Sequence, residues 1–319
     1  MPRSFLATTT AEVDRLQTLW DALYDAAQHT LFQSFAWNRL AAKVFGARQV
    51  PRVLVCEGSY GAAIVPACRS VAGLGLLGEE LFDYRDMLSV GDDLGTVLPW
   101  TDMARPGASL RITALRGTGV RKRWLEIGLP AVPFVVAPVV RRAEVDADTF
   151  AAQHNRSTRL LRRLARAGVE FRSHSGRNGA LVRTIYELKG TQAVAGENLF
   201  SDPLRREFLV AATGLGSCDV FTLESAGALV AALVTFRDGG TRRFYTTYFD
   251  SKWAHYSPGV ALLFRVTQQS LAAGFDCDYM TGEQPHKMRF ATCSVPLYRI
   301  DASFEDLRTI GSGMNLAAA

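Results

Sequence analysis

Five arginines, Arg156, Arg159, Arg162, Arg163 and Arg166, crowd into eleven residues that contain no acid. Each guanidinium presents a planar fork of donors that matches phosphate oxygens. On a helix, Arg159, Arg163 and Arg166 follow i, i+4, i+7 and share a face. That chemistry suits docking of a nucleotide-sugar, a lipid-linked sugar, a tRNA backbone or an anionic membrane surface. A merely solvated arginine face gives the same pattern. Other reactive side chains narrow the field. His255 and His286 can titrate near neutrality, but neither sits in a metal-ligand pattern. Cys56, Cys68, Cys218, Cys277 and Cys293 form no CxxC and no zinc spacing, so no metal is expected. Gly73-Leu74-Gly75-Leu76-Leu77-Gly78 matches GxGxxG as a string. It lacks a strand–turn–helix context, so nucleotide binding is not expected there. No nucleophile elbow or Ser-His-Asp order occurs, so a group transfer would be direct.

The elements that must position these residues follow from turn grammar and periodicity. Asp146 or Asp148 can cap the helix that carries the arginines, Leu160, Leu161 and Leu164 form its apolar stripe, and Gly168 stops it. A strand is expected at 169–174, then helices at 179–194 and 203–213, the second opened by Pro203. Strands at 218–224, 228–237 and 241–250 follow, joined at Ser225-Ala226-Gly227 and Asp238-Gly239-Gly240. Pro258 opens a helix that Gly274 stops, with a short strand at 276–280 and a last strand at 295–300. The first half predicts helices at 10–28 and 34–45 and a hairpin of 52–57 with 62–69. After it come a strand-like stretch at 81–88, a helix-compatible 94–103, and strands at 110–115 and 132–136. Both halves repeat one element order. Two α/β units of one kind are expected, 1–145 and 146–319.

Composition agrees with that size. The 319 residues favour two domains. Hydrophobic residues at 48% and charged residues at 21% exclude wholesale disorder. Net charge is +5, carried by 31 Arg and only 5 Lys, a skew that points to genome composition. Split at 145, the halves carry +2 and +3, so neither is a basic nucleic-acid domain. No apolar run approaches the roughly 20 residues of a membrane span, and no signal peptide is evident. Scattered, odd-numbered cysteines suit a reducing compartment, and a cytoplasmic location is the default expectation.

The second half's order, strand, two helices, three antiparallel strands, helix, strand, is that of a GNAT-type N-acetyltransferase domain. Particular residues sharpen this. They are Tyr245-Thr246-Thr247-Tyr248-Phe249-Asp250, His255-Tyr256-Ser257-Pro258-Gly259, and the segment from Asp276 to Phe290. The last contains Asp278, Gly282, His286, Lys287 and Arg289 in a D-x-x-x-G-x-x-x-(Y/H)-K-x-R spacing. Together these resemble the FemAB-like acyltransferases, most of all the branch of CelD/BioF-type acetyltransferase domains. Phe32-Gln33-Ser34-Phe35-Ala36-Trp37, the arginine helix, and Leu188-Lys189 with Gln192 and Phe200 also fit. The resemblance covers about 30 to 300 and implies two GNAT-like units in tandem.

It implies a chemistry too. An amine attacks the carbonyl of an acyl-CoA thioester, or of an aminoacyl-tRNA ester, a tetrahedral oxyanion forms, and the amine loses a proton. Phosphates of the donor are expected where strands splay and the next helix begins, at Tyr256, Ser257, Gly259 and Val260, with Ser257 capping the helix or donating. Pro258 removes one donor there. Lys287 would stabilise the oxyanion or hold an acceptor carboxylate or phosphate. On an extended segment Arg289 would share its face, with His286 beside them. Asp278 and Glu283 are the candidate bases, and Tyr248 and Tyr256 the candidate acids. Tyr84 and Arg85 would line an acceptor cleft, and Arg159 and Arg163 would meet phosphate. The expected function is acyl transfer to an amine on an amino sugar or envelope precursor, as in exopolysaccharide synthesis. Aminoacyl transfer from tRNA and a non-catalytic nucleotide- or partner-binding regulator are the alternatives.

Overall fold

The computed structural model describes residues 3–27, 29–58, 61–78, 81–91, 109–116, 124–125, 128–176, 178–192 and 198–309. The chain divides into two compact units, residues 1–135 with 296–319, and residues 136–295. The first unit is therefore discontinuous, because the chain returns to it at the end. A single cut near residue 145 leaves out that return.

The first unit begins with β1 (Arg3–Ala7), α1 (Thr10–Asp14), α2 (Gln17–Ala26) and α3 (Phe35–Phe45). It continues with β2 (Val50–Gly58), β3 (Gly61–Ser70), β4 (Gly73–Leu76), β5 (Leu88–Gly91) and β6 (Ser109–Arg116). The second unit holds most of β7 (Val132–Val140), then α4 (Ala147–Gln153), α5 (Asn155–Arg166), β8 (Glu170–Ser175), α6 (Gly179–Gly190) and α7 (Pro203–Ala212). Next come β9 (Cys218–Ser225), β10 (Ala228–Asp238), β11 (Thr241–Phe249), α8 (Pro258–Ala272), β12 (Asp276–Asp278) and α9 (Pro285–Phe290). The last strand, β13 (Cys293–Ser303), lies mostly in the first unit. The order in the first unit is β1-β2-β3-β4-β6-β13, with β5 also on β3. In the second it is β7-β12-β11-β10-β9-β8. These are mixed sheets with helices, as expected for tandem GNAT-like units.

Several expectations need adjusting. The stretch 81–88 is irregular, and only Leu88–Gly91 pairs as a strand. The helix proposed at 94–103 and the end of the one at 179–194 lie outside the described residues. GLGLLG forms strand β4 antiparallel to β3, not a strand–turn–helix cradle. Gly78 is needed at φ +68, where a Cβ would stand 2.4 Å from the Phe82 ring.

The arginine helix is two helices. Asp146 accepts the amides of Asp148 and Thr149 and starts α4. The chain then breaks at His154 (φ −115, ψ 42), and α5 follows. His154 packs edge-on against Phe150 and Phe290, 4.6 and 4.9 Å between centroids. Gly168 at φ +76 ends α5, with Val169 N–H donating to the Leu164 carbonyl at 3.0 Å. Ala226 and Gly227 both take positive φ, which suits the tight β9–β10 hairpin. The core of the second unit gathers Phe150, Leu164, Phe221, Leu233, Phe244, Leu262, Phe264, Tyr279 and Phe290 under α8. Each such side chain contributes about 1.5–3 kcal/mol by leaving water.

Candidate active site

The second unit opens between β11 and β12. These strands pair in parallel only from Thr241–Arg243 to Asp276–Asp278. Beyond that point the chain turns toward β7, where Tyr279 and Gly282 donate to the carbonyls of Pro138 and Val136 at 3.0 and 3.2 Å. Met280 makes the bend at φ +63. β11 instead stays with β10, through a register shift that leaves Tyr245 extra. A bulge of this kind increases local twist. Asp250 N–H donates to the Val230 carbonyl on β10 at 3.0 Å. By strand alternation, the backbone groups of Thr247 and Phe249 face the other way, into the opening.

α8 begins at the mouth of this opening. A Cβ on Gly259 would lie 3.5 Å from the Phe249 ring and 3.6 Å from Thr247 Cγ2, so the helix start rests on β11. Pro258 occupies the first turn and has no N–H. The amides of Gly259 and Val260 fall in the first turn, where no intrahelical acceptor exists. Ser257 sits at φ +50, ψ 52, is exposed, and makes no side-chain cap, so of its two expected roles the cap does not form. Tyr256 packs with Trp253 and His255, and the Arg163 guanidinium lies 5.3 Å above its ring. Arg163 therefore stands beside the approach to the helix start.

The segment after β12 is not extended. Lys287 and Arg289 lie on the short helix α9, and two residues on a helix do not share a face. Lys287 Nζ donates to the Thr281 carbonyl at 3.0 Å. Burial lowers the His286 pKa, and the charges of Lys287 and Arg289 lower it further. Arg289 is exposed and also depresses His154, whose larger cause is burial. Glu283 is exposed. Asp278 is fully buried, with Oδ2 accepting from Arg243 Nη1 at 2.7 Å and Oδ1 from the Met280 amide at 2.9 Å. That engagement removes Asp278 from the candidate bases and makes it the anchor of β12. Tyr248 is 6% exposed, and burial, then the charge of Asp250, hold its hydroxyl pKa above the ordinary value.

Two residues given no role from sequence reach the opening from the end of α6. Lys189 Nζ donates to the Thr247 carbonyl at 2.9 Å and lies 4.9 Å from the Phe200 ring centroid. Gln192 Nε2 donates to the Phe249 carbonyl at 2.8 Å. Burial lowers the Lys189 pKa. The family resemblance marked both residues but gave neither a role, because their backbone partners have no signature in a sequence.

The five arginines of α5 are exposed, and among the described residues none has a carboxylate partner. At 100° per residue they fall within an arc of about 120° and span about 15 Å along the axis. Tyr84 and Arg85 belong to the first unit. Tyr84 is 1% exposed, its carbonyl takes the Gln33 amide, and it does not line a cleft. Arg85 bonds Thr113 Oγ1 and lines a pocket of that unit with Arg48, Arg111 and Asp301. Among the described residues no group of three or more His, Cys, Asp or Glu could hold a metal ion. Burial pushes the Cys56 and Cys218 thiols up to about 12, which leaves them poor nucleophiles. No described helix is long and apolar enough to cross a membrane.

Residues 151–288 match the family model described as acetyltransferase (GNAT) domain. No match was found among curated proteins. Solved structures resemble the chain over nearly its whole length. The C-terminal domain of a protein assigned as a lysylphosphatidylglycerol synthetase from Agrobacterium fabrum aligns at TM-score 0.60 and 13% identity, covering 95% of each chain. FemX aligns at TM-score 0.56 and 8% identity, covering 97% of this chain and 99% of its own. A tandem GNAT protein from the clavulanic acid biosynthesis pathway aligns at TM-score 0.50 and 9% identity, covering 95% and 99%. At these identities the likeness is one of fold.

Proposed function

From the premise that residues 151–288 belong to the acetyltransferase (GNAT) domain family, we propose that the protein transfers an acyl group from acyl-CoA to an amine. The acceptor class we assign is an amino sugar or an envelope precursor of the exopolysaccharide kind. The observation that carries the reading is the opening between β11 and β12, with the start of α8 at its mouth. Free first-turn amides and the positive end of the helix dipole suit the donor's pyrophosphate, with Arg163 nearby. The amine forms a C–N bond to the thioester carbonyl, an oxyanion develops, and the C–S bond breaks to release the thiolate. Glu283 takes the amine's proton, and Tyr256 or Tyr248 returns one to the thiolate. The raised pKa of Tyr248 keeps it protonated for that step. Lys287 and Arg289 meet negative charge on the acceptor or the oxyanion.

Calorimetry with acetyl-CoA and longer acyl-CoAs, with release of free CoA followed over a panel of amino sugars, tests this. Binding together with amine-dependent CoA release is the expected result. Absence of both with every acyl-CoA overturns the donor. Affinity kept in Lys287→Ala with transfer lost places that lysine on the acceptor or transition state. One observation favours a second donor, aminoacyl-tRNA. The arginine arc on α5 is longer than a pyrophosphate needs and suits a run of phosphates. Binding of charged tRNA that weakens steeply with salt would support that donor.

A further inference from the structure

We propose that Lys189 and Gln192 determine which donors the second unit accepts, by occupying the hydrogen-bonding edge of β11. The inference rests on the acyl-transfer reading above. An extended chain of amides, such as a pantetheine arm, binds an open strand edge as an added strand would. On β11 that edge begins after Arg243, where β12 departs. Its outward carbonyls at the mouth are those of Thr247 and Phe249. Both are already taken, by Lys189 Nζ at 2.9 Å and Gln192 Nε2 at 2.8 Å. An incoming amide N–H there must compete with a donor already in place for each carbonyl.

The two caps are held in place by a dedicated network. Asn198 Nδ2 donates to the carbonyls of Lys189, Gly190 and Gln192 at 2.9, 3.2 and 3.0 Å. Gly190 lies so close to this loop that a Cβ would stand 2.6 Å from the Phe200 carbonyl oxygen. Arg206 Nη1 fixes the carbonyls of Phe200 and Ser201 at 2.7 and 2.9 Å. Lys189 is more than a convenient filler. Its ammonium is half-buried with no carboxylate within ion-pair distance among the described residues, and burying a charge without a counterion is costly. An apolar side chain of that length would keep the packing on Phe200 but lose both the cation–π contact with its ring and the bond to the Thr247 carbonyl, the two contacts that call for a cation. A donor in this opening is then gripped at its phosphates and its acyl end, with little contribution from the arm between.

The variants Lys189→Met, Gln192→Ala and the double variant release these carbonyls one at a time and together. Methionine keeps the length and the contact with Phe200. The probes are pantetheine and coenzyme A, titrated by calorimetry at fixed salt. One net hydrogen bond corresponds to about 5-fold in affinity, so the expected gain for pantetheine is about 5-fold per carbonyl and about 25-fold for the pair. Coenzyme A is expected to gain by the same factors. Unchanged or weaker pantetheine binding in Gln192→Ala, whose site is on the surface and whose melting temperature is expected to hold, overturns the inference. So does a double variant that is folded and still binds no pantetheine. Loss of the acyl-transfer reading is a separate result, no product from wild-type protein with any donor, because the pantetheine titration needs no turnover.

Discussion

Asp278→Ala is expected to destabilise the second unit by about 3 kcal/mol. The magnitude follows from what the carboxylate holds. Asp278 is fully buried, and Arg243 is 3% exposed. Removing the carboxylate strips Arg243 Nη1 of a 2.7 Å partner and the Met280 amide of a 2.9 Å partner. Each buried donor left unsatisfied costs about 1–3 kcal/mol. Asp238 still faces Arg243 Nε at 2.5 Å, so the guanidinium keeps a counterion. The loss therefore falls at the lower end of the roughly 3–5 kcal/mol for breaking a buried pair.

Arg243→Met is worse, at about 4–5 kcal/mol, because it takes the guanidinium from two buried carboxylates, Asp278 at 2.7 Å and Asp238 at 2.5 Å. The double variant Arg243→Met with Asp278→Met is expected to recover part of the loss at position 278, since no lone charge is left there, while Asp238 still lacks its 2.5 Å partner. Scanning calorimetry reads these differences. At about 2–4 °C per kcal/mol for a unit of this size, Asp278→Ala shifts its transition down by about 6–12 °C. A loss under about 1 kcal/mol, or strictly additive single losses in the double variant, refutes the reasoning.

Arg159→Ala and Arg166→Ala are expected to change stability by less than about 0.5 kcal/mol each, since neither exposed side chain has an ion-pair partner among the described residues. If α5 meets a polyanion, each also weakens heparin binding and lowers the salt slope by about 1. His286 titrates below its ordinary value through burial first, then Lys287 and Arg289. Its contribution to stability is present above the ordinary histidine pKa and is lost as pH falls through the folded value. In an NMR titration Lys287→Met raises the His286 pKa, and an unmoved value removes the lysine's influence. Gly78→Ala drives a Cβ into the Phe82 ring at φ +68 and costs about 1–3 kcal/mol. Gly259→Ala meets only ordinary contacts with Phe249 and Thr247 and leaves the melting temperature near that of wild type.

What the sequence made legible was its punctuation. Gly168 stops α5, Pro258 starts α8, and the Ala226-Gly227 turn joins β9 to β10, because each demands a local backbone state that few residues adopt. Where two local states compete, pattern failed. Pro285 with Lys287 and Arg289 fits an extended segment as well as a helix, and the helix formed. The break at His154 answers to packing against Phe290, more than 130 residues away. Asp278 looked like a base because its partner, Arg243, is 35 positions off and is brought over by a parallel register that no short motif encodes. Tyr84, expected to line a cleft, is buried, and that burial is a property of the folded first unit.

The opening in the second unit is made at one level of the sheet by three features that reinforce one another. Arg243 is the last residue of β11 paired to β12, and its ion pair with Asp278 pins the end of that pairing. Met280 then turns the chain to β7 in a left-handed conformation, its amide held by the same Asp278 carboxylate. The extra residue at Tyr245 adds twist to β11 just after Arg243. Strands parted like this leave backbone groups without a ladder, and such groups must find partners. Water or a ligand can serve at the mouth, where the first-turn amides of α8 remain available. Along β11 the chain supplies its own, Lys189 and Gln192. On the proposed acyl-transfer reading, the parting of strands that would admit a donor also sets the question of which donor, and the proposed answer lies in side chains of α6 and the turn after it rather than in the motif at the start of α8.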